Sequence, residues 1–156
     1  MANFRGTGTQ TLSVSANQTV MMLLGGSASV RAHLHEINLG SATAATPGAD
    51  GAEVALRQAT TAGTTPTTAF TPLNTNPPGA AAVATCGIGP WTTDPTTAAS
   101  GNMLRIPLRH EIPWRWLAYP GREIISTPTA NNGLALVTVS IAGTAFAALG
   151  SLAWME

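Results

Sequence analysis

Leu104-Arg105-Ile106-Pro107-Leu108-Arg109-His110-Glu111-Ile112 sets apolar and polar side chains in alternation. A period of two puts Leu104, Ile106, Leu108, His110 and Ile112 on one face and Arg105, Arg109 and Glu111 on the other, the pattern of a half-buried strand. Pro107 lies inside the run and Pro113 beside it. Proline has no N–H to give a ladder and is confined mainly to edge strands and bulges, so this strand belongs at the edge of a sheet.

The same reading extends outward in both directions. Downstream, Trp114-Arg115-Trp116-Leu117-Ala118-Tyr119 leads into a Pro120-Gly121 turn and a short strand from Arg122 to Ser126. Asn131-Asn132-Gly133 signals a turn before a strand from Leu134 to Ala142, and Ala147 to Trp154 closes the chain. No charge falls between Ile124 and Met155, and Leu134 to Trp154 is long enough to cross a bilayer. Thr138, Ser140, Thr144 and Ser151 interrupt that stretch, however, and Val137, Val139 and Ile141 alternate with Thr138, Ser140 and Ala142. Two buried strands joined by a turn are predicted there, and no membrane span.

Upstream, Trp91 to Asn102 reads as a loop, Ala80 to Ile88 as a short strand of small residues, and Thr60 to Gly79, with four prolines among threonines, as an extended surface excursion. Val54 and Leu56 alternate with Glu53, Ala55 and Arg57. Val30, Ala32 and Leu34 oppose Arg31, His33 and His35. Val20 to Leu24 is apolar on both faces and ends at Gly25-Gly26, while Leu12, Val14 and Ala16 oppose Thr11, Ser13 and Ser15. Helical periodicity is missing, and turn signals break nearly every run before three turns of helix could form. Eight or nine short strands in one domain, residues 1–156, predict an all-β antiparallel sandwich of Greek-key or jelly-roll winding with long Thr/Ala/Pro-rich loops.

Composition narrows the function classes. Seven arginines, no lysine and seven acidic residues give a formal net charge of zero, whereas nucleic-acid and anionic-membrane binders need a basic surplus for phosphate contacts. Alanine (27) and threonine (23) fill about a third of the chain, and Leu, Ile, Val and Phe together supply only 31 of 156 residues. Such a lean core favours burial against copies or partners, since apolar area contributes about 25 cal/mol per Å² wherever it leaves water. The first residues, Met1 to Gln10, lack the apolar core of a signal peptide. Cys86 stands alone, so neither an internal disulfide nor a cysteine zinc site is expected, and a buried thiol is the natural reading.

Sites of chemistry are sparse. His33-Leu34-His35-Glu36, with His110-Glu111 elsewhere, is the one grouping with metal-ligand residue types. A His-x-His pair on a strand shares a face and resembles that of cupins. The position where that family carries its acidic ligand holds Leu39 and Gly40 here, and strict alternation turns Glu36 to the face opposite the histidines. Solvated or interface histidines are the better reading, and no metal, cofactor or catalytic residue is assigned. A Gly-x-Ser-x-Gly elbow is absent, Gly6 and Gly8 lack the third glycine of a phosphate cradle, and spacing selects no carboxylate pair. Trp114, Arg115, Trp116 and Tyr119 form the densest aromatic patch. With Trp91 they are the candidate interface residues, because Trp, Tyr and Arg are enriched at interface hot spots; a core plug beside a turn is the alternative.

The order of features resembles a known family. A short polar N-terminal strand and a Gly/Thr/Ala/Pro-rich middle are followed by Arg-Ile-Pro-Leu-Arg-His-Glu-Ile-Pro-Trp and a Tyr-Pro-Gly-Arg-Glu turn. Asn-Asn-Gly-Leu-Ala-Leu-Val-Thr-Val-Ser-Ile then leads to a terminal Leu-Ala-Trp-Met-Glu strand. This arrangement is similar to the small jelly-roll decoration, or cement, proteins of tailed bacteriophage heads. The resemblance implies a non-enzymatic homotrimer, made in the host cytoplasm and seated on the outer capsid surface of the virion, which clamps adjacent major capsid protein subunits. It carries over no catalytic residues, and no cofactor is expected; neutral charge already argues against nucleic acid and membrane as partners, and the loops Gly40 to Gly51, Thr60 to Gly79 and Trp91 to Asn102 become candidate contacts. A tail-associated or receptor-binding β module is the rival within virion proteins, and a cupin-like metal-binding enzyme the rival outside them.

Overall fold

The computed structural model describes residues 2–13, 17–25, 29–42, 51–64, 73–75, 81–109, 111–129, 132–141 and 145–156, without the side chains of Ala99, Ser100 and Phe146. Val14, Ala16 and His110, together with much of the loops at 43–50, 65–72 and 76–80, lie outside the described residues.

All regular structure among the described residues is β. The strands are β1 (Asn3–Leu12), β2 (Thr19–Leu24), β3 (His33–Ser41), β4 (Ala52–Ala59), β5 (Leu73–Asn74), β6 (Thr85–Ile88), β7 (Thr97–Leu108), β8 (Trp114–Leu117), β9 (Ile124–Ile125), β10 (Gly133–Ile141) and β11 (Phe146–Met155). They form two antiparallel sheets. The β1 sheet runs β5-β1-β11-β3-β8, with β9 also paired to β3; the β2 sheet runs β6-β2-β10-β4-β7. No helix of the described residues is long and apolar enough to cross a membrane, and the uncharged stretch from Ile124 onward supplies β9, β10 and β11.

Pairing is nested. The first long strand pairs with the last, β1 with β11, and then β2 with β10, β3 with β8 and β4 with β7. The chain is therefore a long two-stranded ribbon, folded so that successive pairs fall in alternate sheets. Two further pairings, β11 with β3 and β10 with β4, join the folded halves.

Between the sheets lies the core that alternation demands. Phe4 and Leu12 of β1, Leu34, Ile37 and Leu39 of β3, and Leu152 and Trp154 of β11 meet Met21 and Leu23, Val54 and Leu56, Ile106 and Leu108, and Leu134 and Leu136 from the opposite sheet. Phe4 and Trp154 stand opposite in register, their rings 6.0 Å apart. Trp154 Nε1 donates to Glu156 Oε1 at 3.0 Å, and the same carboxylate accepts the Val83 and Ala84 amides at 2.8 Å, tying the approach to β6 against the chain end. Cys86 is fully buried in this core, which pushes its thiol far above the ordinary range, away from the nucleophilic thiolate.

Three expectations need correction. β7 does lie at the edge of its sheet, but it begins at Thr97, so the second half of the region expected as a loop from Trp91 to Asn102 is strand. The same strand stops at Leu108; Arg109 and Ile112 bridge across a turn, and Ile112 is exposed rather than core-facing. Finally, the register between β11 and β3 slips between Ala153 and Trp154, so that both Leu34 and Ile37, three residues apart, reach the core. This β-bulge adds a residue and reverses the facing beyond it, turning Glu36 to the outside of the sheet, where alternation alone sends it inward.

Candidate functional site

The outer faces of the two sheets are finished differently. On the β2 sheet, Met22, Ala59, Ala135 and Val137 point away from the main core yet are buried in a second small cluster, against which Leu24 and Trp91 pack. Trp91 opens the cover, and its segment, 91–96, is held antiparallel to 60–64. Thr64 bridges Thr93, the Thr60 amide donates to the Thr96 carbonyl at 2.8 Å, and the Thr96 amide donates to Thr61 Oγ1 at 2.9 Å. Asp94 fastens this strap to the sheet by accepting the Thr19 amide at 2.8 Å. Gly63 has φ +67, and a Cβ there would collide with the Thr93 carbonyl and Pro95, so the close approach requires glycine.

The β1 sheet has an open outer face, and its register aligns three cross-strand rows. Arg5, Ala153, Glu36 and Leu117 form the first; Thr7, Ser151, Asn38 and Arg115 the second; Thr9, Leu149 and Gly40 the third, beside Pro113. The second row, with Leu149 and Gly40 of the third, lines a cleft of about 330 Å³, with Trp114 in its wall. Gly40 makes the notch: without a side chain it leaves Leu149, 44% exposed, and Pro113 as flanking walls. Ser151 is buried in the floor, its Oγ without a hydrogen-bond partner among the described residues.

Charge on this face is concentrated at Glu36. Arg5 Nη2 donates to Oε2 at 2.7 Å, while Arg115 Nε and Asn38 Nδ2 donate to Oε1 at 3.0 and 2.8 Å. Burial by itself raises the Glu36 pKa, but the Asn38 amide and the Arg5 and Arg115 charges outweigh it and hold the carboxyl below its ordinary range. Two guanidiniums share one carboxylate, which leaves a positive excess; the Arg5 and Arg115 side chains remain 41% and 58% exposed.

The five residues chosen from sequence are spread over both faces and the edge. Trp114 and Trp116 turn toward the main core and are half-buried, whereas Arg115 between them points outward to the rim of the cleft. Tyr119, 82% exposed, stands on the turn after β8. Trp91 lies on the other sheet, packed on Gly87 as part of the strap, its Nε1 enclosed and without a partner among the described residues. Gly40, expected to open a contact loop, lies in β3 instead; the sequence reading missed Thr7, Asn38, Leu149 and Ser151, which only cross-strand register brings beside it.

His33 lies just before the bulge in β3 and His35 is its extra residue, both near Glu123 in the connection between β8 and β9. Amide bonds from Glu123 itself and from Gly121 hold that carboxyl below its ordinary range, and the two histidines act in the same direction. Among the described residues no group of three His, Cys, Asp or Glu side chains is placed to hold a metal ion. Comparison with family models, with curated proteins and with solved structures gives no match.

Proposed function

We propose that this chain is a structural virion protein, a decoration or cement protein that seats on the outer surface of a tailed-phage head and stabilises contacts between major capsid subunits. The nested pairing of β1 with β11, β2 with β10, β3 with β8 and β4 with β7 is the observation that carries this reading. Such nesting supports a jelly-roll winding, the fold implied by the sequence resemblance. The open β1 sheet supports it further: small residues, Thr7, Thr9, Gly40, Ser151 and Ala153, alternate there with exposed Leu117 and Leu149, leaving apolar surface that a partner can cover.

In this reading the chain is a homotrimer, makes no covalent chemistry and needs no cofactor. Symmetry converts modest contacts into large avidity, because each copy after the first binds at high effective concentration. A lean core and a neutral surface fit a protein packed densely beside its own copies. The test is electron microscopy of assembled particles together with capsid binding by the purified chain. Density on the head at symmetric positions and a trimer in light scattering are expected. Density on the tail moves the assignment to the tail-associated alternative, and a chain that stays monomeric and ignores capsids overturns the proposal.

A further inference from the structure

We propose that the cleft across the β1 sheet binds an extended segment of a partner protein that presents one carboxylate beside one bulky apolar side chain. This rests on the reading of that sheet as a docking face and specifies what it recognises.

Shape comes first. The second row crosses four strands, from Thr7 through Ser151 and Asn38 to Arg115. Strands about 4.8 Å apart make this row about 14 Å long, the span of about four residues of extended chain. The volume of 330 Å³ suits such a segment rather than a folded domain surface. Its apolar seat is the Gly40 notch between Leu149 and Pro113, adjacent to Trp114. Ser151, buried in the floor with a hydroxyl that has no partner among the described residues, offers a polar group to the main chain of an occupant.

Charge selects the occupant. Arg115 stands at one end of the row, half exposed, and shares Glu36 with Arg5. A carboxylate arriving there is drawn to the surplus guanidinium charge, and a partly desolvated arginine–carboxylate pair is stronger than an exposed one. A second copy of this face would instead bring two net-positive rows together, and like charges across an interface are strongly unfavourable. The apolar notch beside the arginine likewise calls for a side chain that a phosphate backbone lacks.

Blocked, dye-labelled peptides of one apolar extended sequence, with Glu, Gln or Lys at the centre, test this by fluorescence anisotropy on the full chain. The Glu peptide is expected to bind about tenfold or more tightly than the Gln peptide, with the Lys peptide weakest and the preference falling as salt rises. Gly40→Leu fills the notch and should abolish binding; an added Cβ there meets only Pro113 Cβ, at 3.8 Å, so the β-carbon itself fits, and circular dichroism checks that the variant is folded. Leu149→Asp, a change at an exposed position, should weaken the Glu peptide most, and Arg115→Gln should erase the Glu-over-Gln preference. Equal binding of the Lys peptide, full binding by folded Gly40→Leu, no binding at about 1 mM peptide, or self-association lost in Gly40→Leu would each overturn the assignment. Capsid binding measured in parallel separates the two readings. Capsid binding without peptide selectivity removes this inference alone, and selective peptide binding without capsid binding removes the capsid reading alone.

Discussion

On the β2 sheet Met22, Ala135 and Val137 point outward and are hidden from water, whereas on the β1 sheet Leu117 and Leu149 point outward and stay about half exposed. The two sheets share antiparallel pairing and a common core. What differs is the chain that crosses them. The β2 sheet has its own segments 60–64 and 91–96 as cover, bound to each other through threonine and to the sheet through Asp94. The β1 sheet is left with small side chains, the half-exposed Leu117 and Leu149, and one arginine-bridged carboxylate. A sandwich with few large apolar residues thus completes one face internally and presents the other.

Substitutions that probe each face should rank accordingly. Gly133→Ala should have the largest effect, about 3 kcal/mol or more by urea unfolding, because a Cβ at this β10 position overlaps the Leu23 carbonyl oxygen of the neighbouring strand. Its counterpart on the open face, Gly40, has room for the same methyl group. Met22→Ala comes next, at about 2–5 kcal/mol. The residue is fully buried under the strap, and a loss of less than about 1 kcal/mol would mean that the covered face is not a packed layer.

Glu36 tests the open face electrostatically. Its folded pKa is depressed, so its contribution to stability is present above the unfolded carboxyl value of 4.5 and fades as pH falls through the lower folded value. Glu36→Gln should cost about 1 kcal/mol at neutral pH, well below the figure for a fully buried pair because both arginines are solvent-screened. In unfolding curves taken between neutral and acid pH, the variant should also lose part of the acid slope below pH 4.5. An unchanged slope would show that the arginines do not stabilise the carboxylate. Leu149→Ala is the smallest, within about 0.5 kcal/mol, since the side chain has little contact to lose. A larger loss would place Leu149 in a packed layer and break the contrast between faces.

Legibility in the sequence followed range. The alternation of Leu104, Ile106 and Leu108 located β7, and Pro107 placed it at an edge, because both depend on a residue and its immediate neighbours. Arg115 was visible as a contact candidate between two tryptophans. The cleft it borders was not, since Thr7, Asn38 and Ser151 are far apart in sequence and meet only through register. Trp91 and Trp114 look alike in sequence, yet one lies in the strap of the β2 sheet and the other lines the cleft of the β1 sheet.

By itself, then, the sequence determined an all-β sandwich with an edge strand at β7, a buried Cys86 and a formal net charge of zero. These follow from side-chain period, proline's missing donor and composition, all of them local properties of the chain. Tertiary structure alone decided which outer face is covered and which way Glu36 points. Covering depends on hydrogen bonds between segments some thirty residues apart, such as Thr64 with Thr93. The facing of Glu36 depends on one extra residue in β3 opposite β11, and because side chains alternate with a period of two, a single-residue slip carries a charge from one side of the sheet to the other.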